Sequence, residues 1–189
     1  DFGSTWSMDG ATDYHYPELI NMPHIGIVHT EEVKDWYDYI PISTKDELNS
    51  IRENLSGKYY LTTDIEFSEE DFEQGGAFYN NGAGWCPIGT DSATVFTGIL
   101  DGDGHKISGL KINHTGESFI YIGLFGYSNG TIKNLIVTGS EITAAADTAT
   151  LYVGGIVGYN RSNGSVTRCR FDGMINAQDY TGGLAGCNS

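Results

Sequence analysis

From Gly123 to Phe171 the chain carries Gly123-Leu124-Phe125-Gly126, Ile132-Lys133-Asn134-Leu135-Ile136-Val137, Gly155-Ile156-Val157-Gly158 and Val166-Thr167-Arg168-Cys169-Arg170-Phe171, in that order. Two patterns alternate here: G-apolar-apolar-G, and apolar-x-x-apolar-x-apolar. Downstream, Gly183-Leu184-Ala185-Gly186 repeats the tetrad; upstream, Ile107-Ser108-Gly109-Leu110-Lys111-Ile112 repeats the hexad. Hexad starts fall 25 and 34 residues apart, and tetrad starts 32 and 28. A period near thirty signals a solenoid or a propeller, and four-stranded propeller blades need roughly 40–45 residues each, so the pattern predicts coils of a β-solenoid. A strand alternates faces with period two, which turns Leu135 and Val137 inward and Ile136 outward. Stacked coils then predict one interior column of Leu110, Leu135 and Cys169 and a second of Ile112, Val137 and Phe171. Cys169, at an apolar position, reads as a small buried hydrophobe. The tetrad glycines read as corners, where a residue without Cβ takes φ > 0 at no steric cost.

Working upstream, Trp85-Cys86-Pro87-Ile88-Gly89 and Phe96-Thr97-Gly98-Ile99-Leu100 read as strands of an earlier coil, leading into the tight turn Asp101-Gly102-Asp103-Gly104-His105. Both aspartates read as turn residues holding nearby backbone amides. The competing reading, a paired-carboxylate glycosidase site, needs two acids facing one cleft. Before the repeats, Thr44 and Glu47 have capping-box spacing, Leu48, Ile51 and Leu55 follow on one stripe, and Gly57 stands where a C-terminal cap belongs. This predicts a helix over 45–56 that lids the first coil, since an open solenoid end exposes strand edges and core. First strands follow at 58–62 and 64–67.

The whole chain has 189 residues and a mass of 20.5 kDa, enough for one domain with a core of its own. Its formal net charge is −15; residues 1–80 hold 17 acidic and 4 basic side chains, the remainder 8 and 6. That field repels phosphate backbones and anionic membranes, so nucleic acid is excluded as a partner. No stretch reaches the ~18–20 apolar residues of a membrane span, and the first residues lack a signal-peptide pattern. The chain is expected to be soluble and a piece of something longer. The run Glu66-Phe67-Ser68-Glu69-Glu70-Asp71-Phe72-Glu73 lacks the order of a calcium loop. Cys86, Cys169 and Cys187 form no CxxC, the five histidines form no HExxH, and no P-loop or GxGxxG is present. No metal and no cofactor are expected.

The succession Ser43-Thr44-x-x-Glu47-Leu48, Tyr60-Leu61-Thr62-x-Asp64-Ile65, Trp85-x-Pro87-Ile88-Gly89, Phe96-x-Gly98-x-x-Asp101-Gly102-x-Gly104-His105-x-Ile107 and three G-apolar-apolar-G units resembles the GLUG-motif repeat family over residues 43–189. The resemblance implies an all-β, right-handed parallel β-helix (β-solenoid) with a short N-terminal capping helix, found in secreted, adhesin-like bacterial surface proteins and in the non-catalytic region of immunoglobulin-A-specific metallopeptidases. Trp6-Ser7-Met8 and Tyr16-Pro17-Glu18-Leu19 resemble the closing strands of such a module. Residues 1–42 are therefore expected to end a preceding module and connect to the next, and 43–189 to form a solenoid whose coils at 58–189 are truncated at the C-terminus. In the alternative arrangement the aromatic N-terminal stretch packs along this same solenoid.

These readings give a non-catalytic, extracellular surface module that binds a host glycan or protein or acts as a rigid spacer. Tyr14, Tyr16, Trp36, Tyr37 and Tyr39, interleaved with aspartates, are the candidate recognition residues, because exposed aromatics stack on sugars and anchor protein partners. Two alternatives belong to other classes. A polysaccharide lyase or glycosidase would need a Lys or Arg base beside acids, for which Lys111 and Arg170, at one hexad position, are the candidates. An exosite of a secreted peptidase would leave catalysis elsewhere in the parent chain. The uncapped last coil predicts end-to-end self-association.

Overall fold

A computed structural model describes residues 36–116 and 120–189, so most of the stretch expected to end a preceding module, Tyr14 and Tyr16 included, lies outside the described residues. Within them the chain is mostly β-strand with one short α-helix. Every pairing between named strands is parallel, and the strands form four sheets. The chain visits these sheets in a fixed order. Ile99–Asp101 joins the first, Lys106–Ser108 and Lys111–Thr115 the second, Tyr121–Ile122 the third and Phe125–Ser128 the fourth. Thr131–Lys133, Ile136–Ala145, Tyr152–Gly154 and Val157–Asn160 repeat the circuit, and Ser165–Thr167, Arg170–Ala177, Tyr180–Gly182 and Ala185–Asn188 complete it a third time.

Inward residues of successive circuits lie in register. Leu100 sits opposite Ile132 and Ile132 opposite Val166; Ile107 opposite Val137 and Val137 opposite Phe171; Ile112 opposite Ile142. Leu100, Ile107, Leu135 and Val137 are fully buried, while Val166, Cys169, Phe171 and Ile175 in the last circuit pack on this core and stay half-exposed. A column is covered on both sides only where a neighbour lies on both sides. Cys169 is thus less buried than its apolar position implied; its thiol, pushed up in pKa by burial, donates to the Thr167 carbonyl at 3.3 Å.

The column expected from the first hexad is not formed. Ile107 pairs with Val137, five residues on from the hexad start at Ile132, and Lys111 pairs with Glu141 rather than lying in line with Arg170, which faces Ile136. Leu110 is buried but belongs to a different part of the core from Leu135. The cause is the turn. Asp101 pairs with Lys133 and Lys106 with Ile136, so four residues, Gly102 to His105, span what Asn134 and Leu135 span in the next circuit. That two-residue excess sets Leu100 and Ile107, the counterparts of Ile132 and Val137, seven residues apart instead of five, so the hexad spacing is lost there and its copy from Ile107 to Ile112 falls opposite Val137 to Ile142.

The tetrad glycines also differ from expectation. None of the six tetrad-end glycines has positive φ; the left-handed corners are Asp103, Asn134 and Arg168, with φ of 50°, 54° and 52°. What the tetrads require is close approach. A Cβ on Gly126 would lie 2.4 Å from the Gly89 carbonyl oxygen, and one on Gly158 would lie 2.5 Å from the Ile122 nitrogen.

The helix is shorter than the stripe predicted. Lys45–Ser50 is α-helical and Ile51–Glu53 continues as a 3₁₀ turn. Its N-terminus has the expected capping box: the Glu47 N–H donates to Thr44 Oγ1 at 3.2 Å, and the Glu47 carboxylate accepts from the Thr44 N–H at 3.1 Å. Gly57 does not cap it, since its N–H closes a later turn on Asn54. Leu48 and Ile51 are fully buried on the core. Strands Lys58–Leu61 and Ile65–Glu66 follow, and Ile40–Ile42, within the stretch read as connector, adds a parallel strand beside Tyr59–Leu61. Of the earlier coil, Ile88 and Phe96 make single parallel bridges to Phe125 and Ser128, and only Ile99–Asp101 is a strand. The intervening excursion buries Phe67, Phe78 and Trp85 together, with the Trp85 indole N–H donating to the Leu124 carbonyl at 3.1 Å.

Candidate functional site

The most ordered outward feature is a pair of tyrosine columns. Tyr121, Tyr152 and Tyr180 open the three strands of the third sheet and lie in register. Tyr127, Tyr159 and Cys187 hold equivalent places in the fourth. The Tyr152 and Tyr180 rings stack at 5.0 Å and 4°, and Tyr127 and Tyr159 at 5.1 Å and 6°. Edge contacts join the columns: Tyr121 meets Tyr127 at 4.8 Å and Tyr159 at 5.4 Å, and Tyr152 meets Tyr159 at 5.5 Å. Such ring pairs contribute about 0.5–1.5 kcal/mol beyond burial. The glycines between the columns make them possible. A Cβ on Gly186 would strike the Val153 nitrogen at 2.4 Å, so only glycine lets the two sheets meet this closely at the corner. Burial first, and the neighbouring phenols second, raise the pKa of Tyr121, and desolvation with the Tyr180 phenol raises that of Tyr152. The Arg161 guanidinium lies 5.8 Å from the Tyr127 ring centroid, a cation at the margin of the face.

The predicted recognition residues divide. Trp36 stacks on Tyr60 at 4.2 Å and meets Tyr39 edge-on at 5.0 Å. The Lys58 ammonium lies 5.8 Å from the Tyr39 ring centroid and 3.6 Å from the Asp38 carboxylate. Trp36 and Tyr39 are thereby brought together at the first strands, while Tyr37 is 93% exposed. Tyr60 was missed by sequence reasoning, as were all five tyrosines of the columns. A signal for the columns does exist: a tyrosine two or three residues before each tetrad, and Tyr127, Tyr159 or Cys187 directly after it.

Lys111 is enclosed by acids. Its ammonium bonds the Glu69 carboxylate and lies 3.6 Å from that of Glu141, and these partners, Glu69 first, raise its pKa. A small cleft of about 180 Å³ opens beside it, lined by Glu69, Phe72, Glu73 and Asn113 among others. A lysine held protonated in this way is a poor base. Arg170 instead pairs with Asp172 at 3.3 Å. Asp101 does more than shape a turn: it is 1% exposed, lies 3.3 Å from the Lys133 ammonium, and accepts from the Asn134 amide at 2.8 Å and the Asp103 N–H at 2.9 Å. The lysine, arginine and turn aspartates do not converge on one cleft. Among the described residues no group of three His, Cys, Asp or Glu is placed to hold a metal ion, and no helix is long and apolar enough to cross a membrane.

Parallel sheets visited in a repeated order, with outward residues aligned in columns, define a β-rich repeat protein. The GLUG motif matches residues 149–176, from just before the Tyr152 strand to near the end of the last long strand, and this match supports assigning the chain to the GLUG-motif family. Halomucin of Haloquadratum walsbyi is 35% identical over 130 residues, 68% of this chain and 1% of halomucin. A Gly-rich membrane protein of Evansella cellulosilytica is 37% identical over 124 residues, 63% of this chain and 13% of that protein. The chain thus spans a small part of each of these relatives. No solved structure matches it.

Proposed function

We propose that this chain is a right-handed parallel β-helix acting as a non-catalytic module at the cell surface of a larger protein, where it carries an adhesive face or serves as a rigid spacer. The observation that carries the reading is the threefold circuit through four parallel sheets, which lines up outward side chains at the ~4.8 Å spacing of neighbouring strands. Solenoids of this kind present long rigid faces suited to extended partners such as glycans or protein surfaces. The surface location is supported by relatives whose names carry "mucin" and "membrane protein" and of which the matched segment is a small fraction. The absence of turnover is supported by Lys111, locked between Glu69 and Glu141, and by Asp101, committed to Lys133.

Antibodies raised against the chain test the location: they should label intact source cells as strongly as permeabilised ones, and labelling that needs permeabilisation overturns the surface reading. A glycan array run beside a calcium-supplemented unsaturated-uronate assay tests the rest. Binding without new ultraviolet absorbance is expected, whereas new absorbance would identify a lyase.

A further inference from the structure

Within the tyrosine columns the stacked rings, Tyr152 with Tyr180 and Tyr127 with Tyr159, each cover one face of the other and so withhold those faces from a flat ligand. They are suited to another chemistry. Two phenols whose rings are held parallel and adjacent are placed for oxidative coupling through the carbons ortho to their oxygens, and Tyr152 with Tyr180 is the best such pair. The rings are 4° from parallel with centroids 5.0 Å apart, the two residues are directly opposite in adjacent strands, and Tyr180 is 56% exposed and so open to an oxidant. The second stacked pair is less accessible, because Tyr127 is only 8% exposed.

We infer that Tyr152 and Tyr180 form a site of covalent modification, joined as a dityrosine by a one-electron phenol oxidant such as a haem peroxidase with hydrogen peroxide. Each phenol gives up one electron and one proton, the two phenoxyl radicals join by an ortho carbon–carbon bond, and each ring regains aromaticity as the hydrogen on its bonded carbon moves to its oxygen. Two hydrogens leave the protein and one peroxide becomes two waters. The product staples the last two circuits together across the strand ladder, in a chain whose three cysteines are all free. Cys187 lies in register with Tyr159, beside the site, and its thiol can reduce a phenoxyl radical before coupling. Replacing it should therefore raise the yield.

The sequence allows a clean assay. Trypsin cuts after Lys133, Arg161 and Arg170, which puts Tyr152 and Tyr159 on peptide 134–161 and Tyr180 on peptide 171–189. The intact chain and its Cys187→Ser variant are treated with horseradish peroxidase and hydrogen peroxide over a range of protein concentrations. Expected is a linked pair of these two peptides, lighter than their sum by two hydrogens, in a yield independent of protein concentration and several-fold higher in Cys187→Ser. Tyr180→Phe, which keeps the stacked ring, and Tyr152→Phe should each abolish the link without changing circular dichroism. Absence of the linked pair under conditions that convert free tyrosine to dityrosine overturns the inference. So does a yield that rises with protein concentration, or a link that survives Tyr152→Phe.

Discussion

At the scale of single residues, packing between circuits decides what each position tolerates. Gly158 and Gly183 both belong to tetrads, yet a Cβ on Gly158 would press on the Ile122 nitrogen at 2.5 Å and the Tyr152 carbonyl oxygen at 2.8 Å, whereas one on Gly183 meets nothing within 4 Å. Backbone cannot yield as a side-chain tip can, so Gly158→Ala should cost about 3 kcal/mol in urea denaturation, the upper range for overpacking. Gly183→Ala should stay within about 0.5 kcal/mol of the parent; equal losses at both sites would show that the tetrads serve turn geometry after all. Asp101 offers a second test. Asp101→Ala leaves the Lys133 ammonium, the Asn134 amide and the Asp103 N–H without this carboxylate. The loss should be about 2–3 kcal/mol, as for hydrogen bonds to charged groups, below the ~3–5 kcal/mol of a fully buried pair, because the Lys133 side chain is 29% exposed and can turn to water. The sequence displayed Asp101 as part of a turn, which it is; its burial comes from Lys133 and Asn134 of the next circuit, and no reading of residues 101–105 alone contains them.

At the scale of elements, the capping helix depends on carboxylates that are ionised at neutral pH. Glu47 is held below its ordinary 4.5, first by the Ser43 N–H and then by the Ser43 hydroxyl. Burial alone would raise Asp71, but the Lys45 ammonium and the Ser68 N–H outweigh it and hold Asp71 below its ordinary 3.8. Depressed folded values mean stabilisation that is complete above the unfolded values and is lost as pH falls through the folded ones. The protection of the Leu48 and Ile51 amides against hydrogen exchange, relative to the intrinsic rate at each pH, should therefore fall below about pH 4.5 before the core strands open, and Asp71→Asn together with Glu47→Gln should flatten that dependence; an unchanged acid limb in the double variant would contradict it. The capping box and the start of the helix were legible because their signals are local. The register of the first hexad was not, since the two extra residues of the turn from Gly102 to His105 break the spacing between Leu100 and Ile107, the counterparts of Ile132 and Val137, while Ile107 to Ile112 copies that spacing opposite Val137 to Ile142. The later hexads and all three tetrads were read in the register they occupy. The tyrosine columns were open to the same counting, yet tyrosine is favoured on any strand, and only the register reveals that these rings meet.

At the scale of the whole molecule, the exposure of the last described circuit predicts behaviour in solution. Leu48 and Ile51 of the helix are buried in the core, and Ile40–Ile42 is an edge strand whose Ile40 is 46% exposed. The last circuit leaves Met174, Tyr180 and Leu184 exposed at 69%, 56% and 40%, and its strands have a partner on one side only. Unpaired parallel edges beside apolar side chains are templates for another chain, so copies of this chain should associate through that end. Opposing this is the net charge of −15, which repels copies at long range. Salt decides the balance, because at about 0.1 M the screening length has fallen to roughly 10 Å while contact at the edge is unaffected. Light scattering should therefore show a mass that rises with protein concentration and with added sodium chloride, the reverse of an association held by ion pairs. Met174→Lys with Leu184→Lys places charge on the edge and should return the monomer at every salt concentration. A monomer throughout the range in the parent chain, or association that salt dissolves, would remove the exposed edge as an interface.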